Sequence, residues 1–165
     1  MKIVSGRVWK FGGNINTDLI APGKYLSGTI DEIKEHVLET VNPRFAKEVR
    51  KGEIVVAGKN FGCGSSREAA PQGLKALGVD AVVAESFARI FFRNAIAIGL
   101  PVLACPLVHQ SFEEGETLKL DLEKAQVSNL NRNITLQGTP LPSEMLEVLR
   151  KGGITSLLTE MFGQG

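Results

Sequence analysis

The chain has 165 residues, 43% of them hydrophobic, and its 19 basic against 18 acidic side chains leave a net charge of +1. That balance argues against a nucleic-acid partner or an electrostatically held membrane surface, and the length suits one globular domain over residues 1–165. No stretch reaches the roughly 18 unbroken apolar residues of a membrane span, and Met1 to Gly6 lacks the apolar centre of a secretory leader, so a cytoplasmic protein is expected.

Ile3 to Lys10 reads as a strand, followed by a polar loop dense in Asn14, Asn16, Thr17 and Asp18 that turns at Pro22-Gly23. Asp31 to Thr40 reads as a helix and Arg44 to Val49 as a short helical turn. Glu53 to Ala57, apolar and β-branched, has the composition of a buried strand. Glu68 to Leu77 carries apolar residues at helical spacing and ends at Gly78, a left-handed cap. Asp80 to Ala84 is then a strand, Phe87 to Ile98 a helix closed by Gly99, and Pro101 to Ala104 a further strand. Strand and helix in this alternation predict an α/β fold with parallel pairing and right-handed crossovers, and a ligand site at the carboxyl ends of the strands. After Gly115 the texture changes to Thr117 to Asp121, Gln126 to Ser128 and Ile134 to Gln137, short segments between Asn and Gly turns that predict hairpins. Ser143 to Lys151, with Ser143 as its cap, and Ile154 to Phe162 close the chain as helices.

The junction Asn60-Phe61-Gly62-Cys63-Gly64-Ser65-Ser66-Arg67-Glu68 sits between a strand and a helix. Free N–H groups and the positive dipole end of a helix start suit a carboxylate or phosphate, and Arg67 adds a planar, permanently charged fork. A purely structural reading stands beside this one: Gly62 and Gly64 make the turn, Ser65 or Ser66 caps the helix, and Glu68 faces its dipole. The glycines of Gly58 to Ser66 suggest a mobile loop. The stretch is neither Gly-x-Gly-x-x-Gly nor a Walker loop. Cys63 and Cys105 are too few for a disulfide framework or a zinc site. Cys105, in an apolar run, reads as a buried inert thiol, whereas Cys63 sits among glycines near Arg67, where a thiol becomes reactive. His36 and His109 lack metal-binding spacing and read as surface or packing residues.

Three separated segments occur in order: Asn14-Ile15-Asn16-Thr17-Asp18 running on to Ile20 and Pro22, Gly58 to Pro71 around the serine pair, and Ala84-Glu85-Ser86-Phe87-Ala88-Arg89-Ile90-Phe91-Phe92-Arg93-Asn94. Together they resemble the small subunits of the aconitase superfamily over about Lys2 to Pro106, and the short free-standing chain is similar to the 3-isopropylmalate dehydratase small-subunit family of leucine biosynthesis. Ala69, where many bacterial relatives carry histidine, and the short length resemble the compact archaeal-type form.

The resemblance implies a swivelling β/β/α domain, with a strand-rich rim around a parallel middle. It also implies dehydration and rehydration of a hydroxy-dicarboxylic acid. In that family an iron-sulfur cluster held by three cysteines assists the departing hydroxyl. This chain has no such set, so the resemblance implies no cofactor here and a cluster-bearing large subunit as partner, with the isolated chain awaiting it or self-associating. Ser65 matches the family's base, Arg67 its carboxylate-gripping arginine and Ser66 a substrate hydrogen bond, with Gly64 and Ser66 offering N–H donors to the Ser65 alkoxide. Asp18 is expected to tie its loop to backbone N–H groups. Arg89 and Arg93 share a helix face and are read as anchors for loops or for the partner.

Substrate choice is expected from Lys24-Tyr25-Leu26-Ser27-Gly28-Thr29. Homoaconitase-like small subunits carry an arginine after the Tyr-Leu pair, and Ser27 stands there in this chain, which favours a substrate whose distal group is uncharged, such as isopropylmalate. The small polar Ser27-Gly28 pair keeps citramalate and dimethylmalate as alternatives, and Lys24 is a weaker candidate cation. Two other classes are weighed beside this reading: a stand-alone carboxylate- or phosphate-binding module using Ser65, Ser66 and Arg67, and a redox sensor using Cys63.

Overall fold

In the computed structural model, which describes residues 3–163, strand β1 (Ile3–Lys10) is the seam between two kinds of sheet. Its second half pairs in parallel with β2 (Ile54–Ala57), Val8 beside Ile54 and Lys10 beside Val56. Its first half pairs antiparallel with β5 (Thr117–Asp121), Ile3 opposite Asp121 and Arg7 opposite Thr117. On the parallel side follow β3 (Ala81–Ala84) and β4 (Val102–Ala104); on the antiparallel side follow β6 (Gln126–Asn129) and β7 (Ile134–Gln137). The result is one curled seven-stranded sheet in the order β4-β3-β2-β1-β5-β6-β7, in which the antiparallel strands continue the parallel ones. Met1 and Lys2, on which the reading of the amino terminus partly rests, lie outside the described residues.

Sequence texture follows from what each strand faces. Every residue of β2 and β3 is buried, which is why they read as unbroken apolar runs. In β5 only Leu118 and Leu120 are buried, and polar residues alternate with them. Between β2 and β3 runs α4 (Ala69–Ala76), and between β3 and β4 runs α5 (Arg89–Ala97). Both end where expected, at Gly78 (φ 91°) and Gly99 (φ 84°). The chain after β7 returns to the far edge, where the Thr139 N–H donates to the Ala104 carbonyl at 2.8 Å and so covers the exposed side of β4. Buried Trp9 meets Phe45 edge-on at 5.3 Å. Its indole N–H donates to Glu53 Oε1 at 2.8 Å, which satisfies both buried polar groups.

Three local expectations change. The helix expected over Asp31 to Thr40 is only α2 (Ile30–Lys34), started by a Thr29–Glu32 capping box. Residues 35–41 are turns instead, and among them Leu38, fully buried, stands at φ 59° and donates its N–H to the Ile20 carbonyl at 3.1 Å, so tertiary burial overrides helical propensity. Short helices α1 (Thr17–Ile20), α3 (Phe45–Glu48) and α6 (Val108–Ser111) are present, of which only α3 was expected. Ser143 is the first residue of α7 (Ser143–Arg150) rather than its cap, and its hydroxyl donates to Glu144. Helix α8 (Ile154–Phe162) ends the described chain. No helix among the described residues is long and apolar enough to cross a membrane.

The turn into β5 is organised by Glu116, whose carboxylate accepts the Glu113 N–H at 2.7 Å, Arg132 Nε at 2.8 Å and Asn129 Nδ2 at 3.0 Å. The Glu113 N–H first, then Arg132, hold its carboxyl down at about 2. Because the folded value is depressed, this contribution is complete above the ordinary carboxylate range and lost as pH falls through about 2. Glu116→Gln is expected to lose about 1–2 kcal/mol at neutral pH. The gap from wild type in thermal melts should narrow steadily under acid; a gap independent of pH would contradict the ionic origin.

Candidate functional site

Beyond Ala57 strand β2 stops, but its parallel pairing continues in the loops. Phe61 donates its N–H to the Ser86 carbonyl and accepts from Ala88 N–H, each at 3.0 Å, on one side. On the other, Gly62 N–H donates to the Ile15 carbonyl at 2.7 Å and Thr17 N–H to the Cys63 carbonyl at 2.8 Å. The bridges Asn16–Cys63 and Phe61–Phe87 are both parallel. The loops after β1, β2 and β3 therefore lie side by side in the order of their strands. Within the loop expected to be mobile, Phe61 is bonded to one flank and Gly62 and Cys63 to the other. Gly62 stands at φ 82°, and a Cβ there would lie 2.3 Å from Phe91 Cγ, so the loop crosses α5 at a distance that only glycine allows.

Past Cys63 the pairing ends. The N–H groups of Gly64, Ser65, Ser66 and Arg67 have no acceptor among the described residues, and neither serine hydroxyl has a partner there. The Thr17 hydroxyl, buried, donates to the Ser65 carbonyl at 2.7 Å and sets the bend. Gly64, Ser65, Ser66 and Arg67 line a cavity of about 310 Å³ at the carboxyl ends of the parallel strands. Its other wall is the first turn of α5, with Ala88, Arg89 and Ile90, then Asn94 one turn on. Ala88 makes no side-chain cap, so the opening N–H groups of α5 face this region without a capping acceptor.

Two readings of the junction are corrected here. Neither serine caps α4, because Glu68 occupies that position and makes no side-chain cap bond. The helix whose first turn lines the cavity is α5, not the one that follows the serines. The signal for Ile90 and Asn94 was their one-turn spacing on one face of the Arg89–Ala97 helix, which becomes informative only once the crossing at Gly62 is known.

Arg67 is held before any ligand arrives. Its Nη1 donates to Asp18 Oδ1 at 2.7 Å and to the Ala21 carbonyl at 3.0 Å, while Asp18 Oδ1 also accepts the Gly23 N–H at 3.1 Å. Asp18 thus ties its loop to backbone and orients the guanidinium as well. The remaining donors of Arg67 have no acceptor among the described residues, which leaves an edge free for a carboxylate. Lys24 and Ser27 do not line the cavity. The Lys24 ammonium lies 5.2 Å over the Tyr25 ring, which stacks on His36, and Ser27 is exposed. Their loop nevertheless begins beside Arg67, since a Cβ on Gly23 would be 3.5 Å from Arg67 Nη1.

The remaining titratable residues divide plainly. Cys105 is fully buried, and burial, with a smaller contribution from Glu85, pushes its thiol up to about 11. Cys63 is half-buried and free. His36 Nδ1 pairs with Glu39 at 2.8 Å. Among the described residues no group of three or more His, Cys, Asp or Glu is placed to hold a metal ion. A larger cavity, about 510 Å³, opens at the opposite end of the sheet, where α4, α5 and α7 end. The carbonyl ends of three helices disfavour an anion there, and three of its four lining cations are already engaged: Lys75 with the Ile98 carbonyl, Lys151 with Glu160, Arg150 with Glu147.

The aconitase C-terminal domain family matches residues 13–106. Similar proteins include 3-isopropylmalate dehydratase small subunit 1 of Methanopyrus kandleri, 48% identical over 94% of this chain and 92% of its own length. Another is the methanogen homoaconitase small subunit of Methanothermobacter thermautotrophicus, 49% identical over 93% of this chain and 89% of its own. The crystal structure of a 3-isopropylmalate dehydratase from Methanocaldococcus jannaschii aligns with a TM-score of 0.91 at 38% identity, covering 97% of this chain and 95% of that one.

Gly62→Ala is expected to destabilise the chain by about 3 kcal/mol, since the added methyl meets Phe91 near its backbone rather than at a flexible tip. For a domain of this size that is a fall of roughly 6–12 °C in Tm. Combined with Phe91→Gly, which also removes the Cβ that would lie 2.4 Å from the added methyl, it should cost less than the sum of the two changes, and additive losses in the double-mutant cycle would remove the close approach as the cause.

Proposed function

The chain belongs to the aconitase C-terminal domain family, and we propose that it is the small subunit of a heteromeric hydro-lyase that isomerises 2-isopropylmalate to 3-isopropylmalate by dehydration and rehydration, in leucine biosynthesis. A cytoplasmic location goes with this reading. The observation that carries it is the concentration of unpaired donors around one hydroxyl: the N–H groups of Gly64 to Arg67 and the free edge of Arg67 flank Ser65 in an open cavity.

Those groups match what the reaction demands. A proton must leave a carbon beside a carboxylate, and the charge that builds on that carboxylate is stabilised by donors already in place. Arg67, held at Nη1 by Asp18, offers its remaining N–H groups to the carboxylate, and Ser66 adds a hydroxyl. Ser65 takes the proton. A serine oxygen is a weak base, and the neighbouring N–H groups and guanidinium favour its alkoxide. The chain's own residues do not fit an iron-sulfur cluster, since its two cysteines lie apart, one of them buried. In this reading the cluster is carried by a large partner subunit, and when bound it supplies the Lewis acid for the departing hydroxyl. The open cavity, with Ser65 and Ser66 exposed, suits a site completed across a subunit interface.

Ser27 supports isopropylmalate over a tricarboxylate, because no cation in the loop after Pro22 other than Lys24 is available for a third carboxylate. Lys24 lies over an aromatic ring instead. A second reading, a related dehydratase acting on homoaconitate, citramalate or dimethylmalate, is favoured by the homoaconitase name of a relative 49% identical to this chain.

Anaerobic reconstitution with the cluster-bearing large subunit tests the proposal, following the unsaturated intermediate from isopropylmalate, citramalate, dimethylmalate and homocitrate. Turnover is expected with isopropylmalate. Ser65→Ala should lower kcat by about 10³-fold or more with subunit assembly intact, and Arg67→Lys should raise KM and lower kcat together by about 10²-fold. Ligand binding by the chain alone, with no turnover in an assembled complex, would favour a stand-alone carboxylate-binding module instead.

A further inference from the structure

The segment Ala84 to Asn94 contains two arginines that the proposed reaction leaves without a task. Beside the reaction cavity, a groove of about 410 Å³ opens along α5, with Phe87, Phe92 and Met145 as its apolar walls and Arg89 and Arg93 on its rim. Arg89 lines both cavities, whereas Arg93 lines only the groove. Both arginines are exposed, and neither makes a hydrogen bond or ion pair among the described residues. No acidic residue lines the groove.

This arrangement is unfavourable for the chain by itself. Like charges one helical turn apart repel each other. Arg89 also occupies the first position of α5, at the positive end of the helix dipole, where a carboxylate would be stabilised and a cation is not. Ile90 beside it is 53% exposed. Phe87 and Phe92, 5.3 Å apart, are only half-buried. Uncompensated cations above an aromatic wall are complementary to a carboxylate next to an apolar side chain, for which guanidinium forks are the better suited cation.

We propose that this groove docks an acidic segment of the large partner subunit, with a carboxylate between Arg89 and Arg93 and an adjacent apolar side chain against Phe87 and Phe92. The proposal rests on the small-subunit reading above. Because Arg89 is shared, a segment seated in the groove borders the open side of the reaction cavity, so assembly and closure of the site are one event. The substrate is not the occupant: it must lie against Ser65 and Arg67, and Arg93 does not reach their cavity.

Arg93 is the residue to change, since it lies outside the reaction cavity. Wild type, Arg93→Glu and the milder Arg93→Gln would each be titrated against the cluster-loaded large subunit, measuring Kd at several salt concentrations and steady-state kinetics at saturating large subunit. Arg93→Glu is expected to raise Kd by roughly 10- to 100-fold and Arg93→Gln by several-fold, with a weaker salt dependence in both and with kcat and KM for isopropylmalate within about two-fold of wild type. An unchanged Kd in both variants would overturn the proposal. So would an unchanged Kd with a raised KM, which would give the groove to substrate, or loss of self-association with partner binding intact, which would give it to a second copy. Failure of the wild-type chain to bind or activate the large subunit would instead defeat the small-subunit reading and the docking proposal with it.

Discussion

The site depends on one constraint: the parallel register of β1, β2 and β3 runs on past the strands into three loops, and it does so only because Gly62 has no side chain where it passes Phe91. If the loop stood off from α5 by the width of a methyl group, the bonds from Phe61 to Ser86 and Ala88 would lengthen together with those from Gly62 and Cys63 to Ile15 and Thr17. What the register achieves is placement. It brings the Asn14–Asp18 loop, the serine pair and the first turn of α5 to one edge of the sheet, although they are far apart in the chain.

The electrostatics of that edge follow from what is left unpaired. Where the register ends, after Cys63, four consecutive N–H groups have no acceptor among the described residues, and the Asp18 carboxylate is committed to Arg67 and to the Gly23 N–H. Positive potential therefore collects where a carboxylate would bind, without a buried unpaired charge, because the edge is open to solvent. The opposite end of the sheet shows the contrasting solution. There the helices present their carbonyl ends, and the lysines and arginines around them are largely engaged within the chain. The two ends of one sheet thus differ in which helix ends they present, N–H groups of α5 at one and carbonyls of α4, α5 and α7 at the other.

Sequence reading located the strands well because their signals are local: buried strands without polar alternation, half-exposed strands with it, and glycines at the ends of α4 and α5. It failed where long-range contacts decide. The helix stops at Lys34, and Leu38 in the following turns buries itself and bonds to Ile20, which no periodicity in residues 31–40 announces. Ser65 and Ser66 look like caps by composition, yet the bend they sit on is set by a hydrogen bond from Thr17, a residue distant in sequence. The chemistry-bearing residues Gly64, Ser65, Ser66 and Arg67 were legible as a cluster because they are contiguous. Their second wall, Ile90 and Asn94, was not, since only the crossing at Gly62 turns α5 toward them. Lys24 and Ser27 were legible only by resemblance, and in the structure their loop starts at Arg67 and then turns outward.

Amide hydrogen exchange, on the isolated chain and on its complex with the large subunit and substrate, tests the central claim most directly. The account predicts that Thr17, Phe61, Gly62 and Ala88 exchange slowly in the isolated chain, at rates near those of β2, while Gly64 to Arg67 exchange fast until partner and substrate are bound. Exchange at Phe61 and Gly62 as fast as at Ser65 would contradict it, because the loops would then not continue the sheet, and the donors around Ser65 would not be in place before the reaction begins.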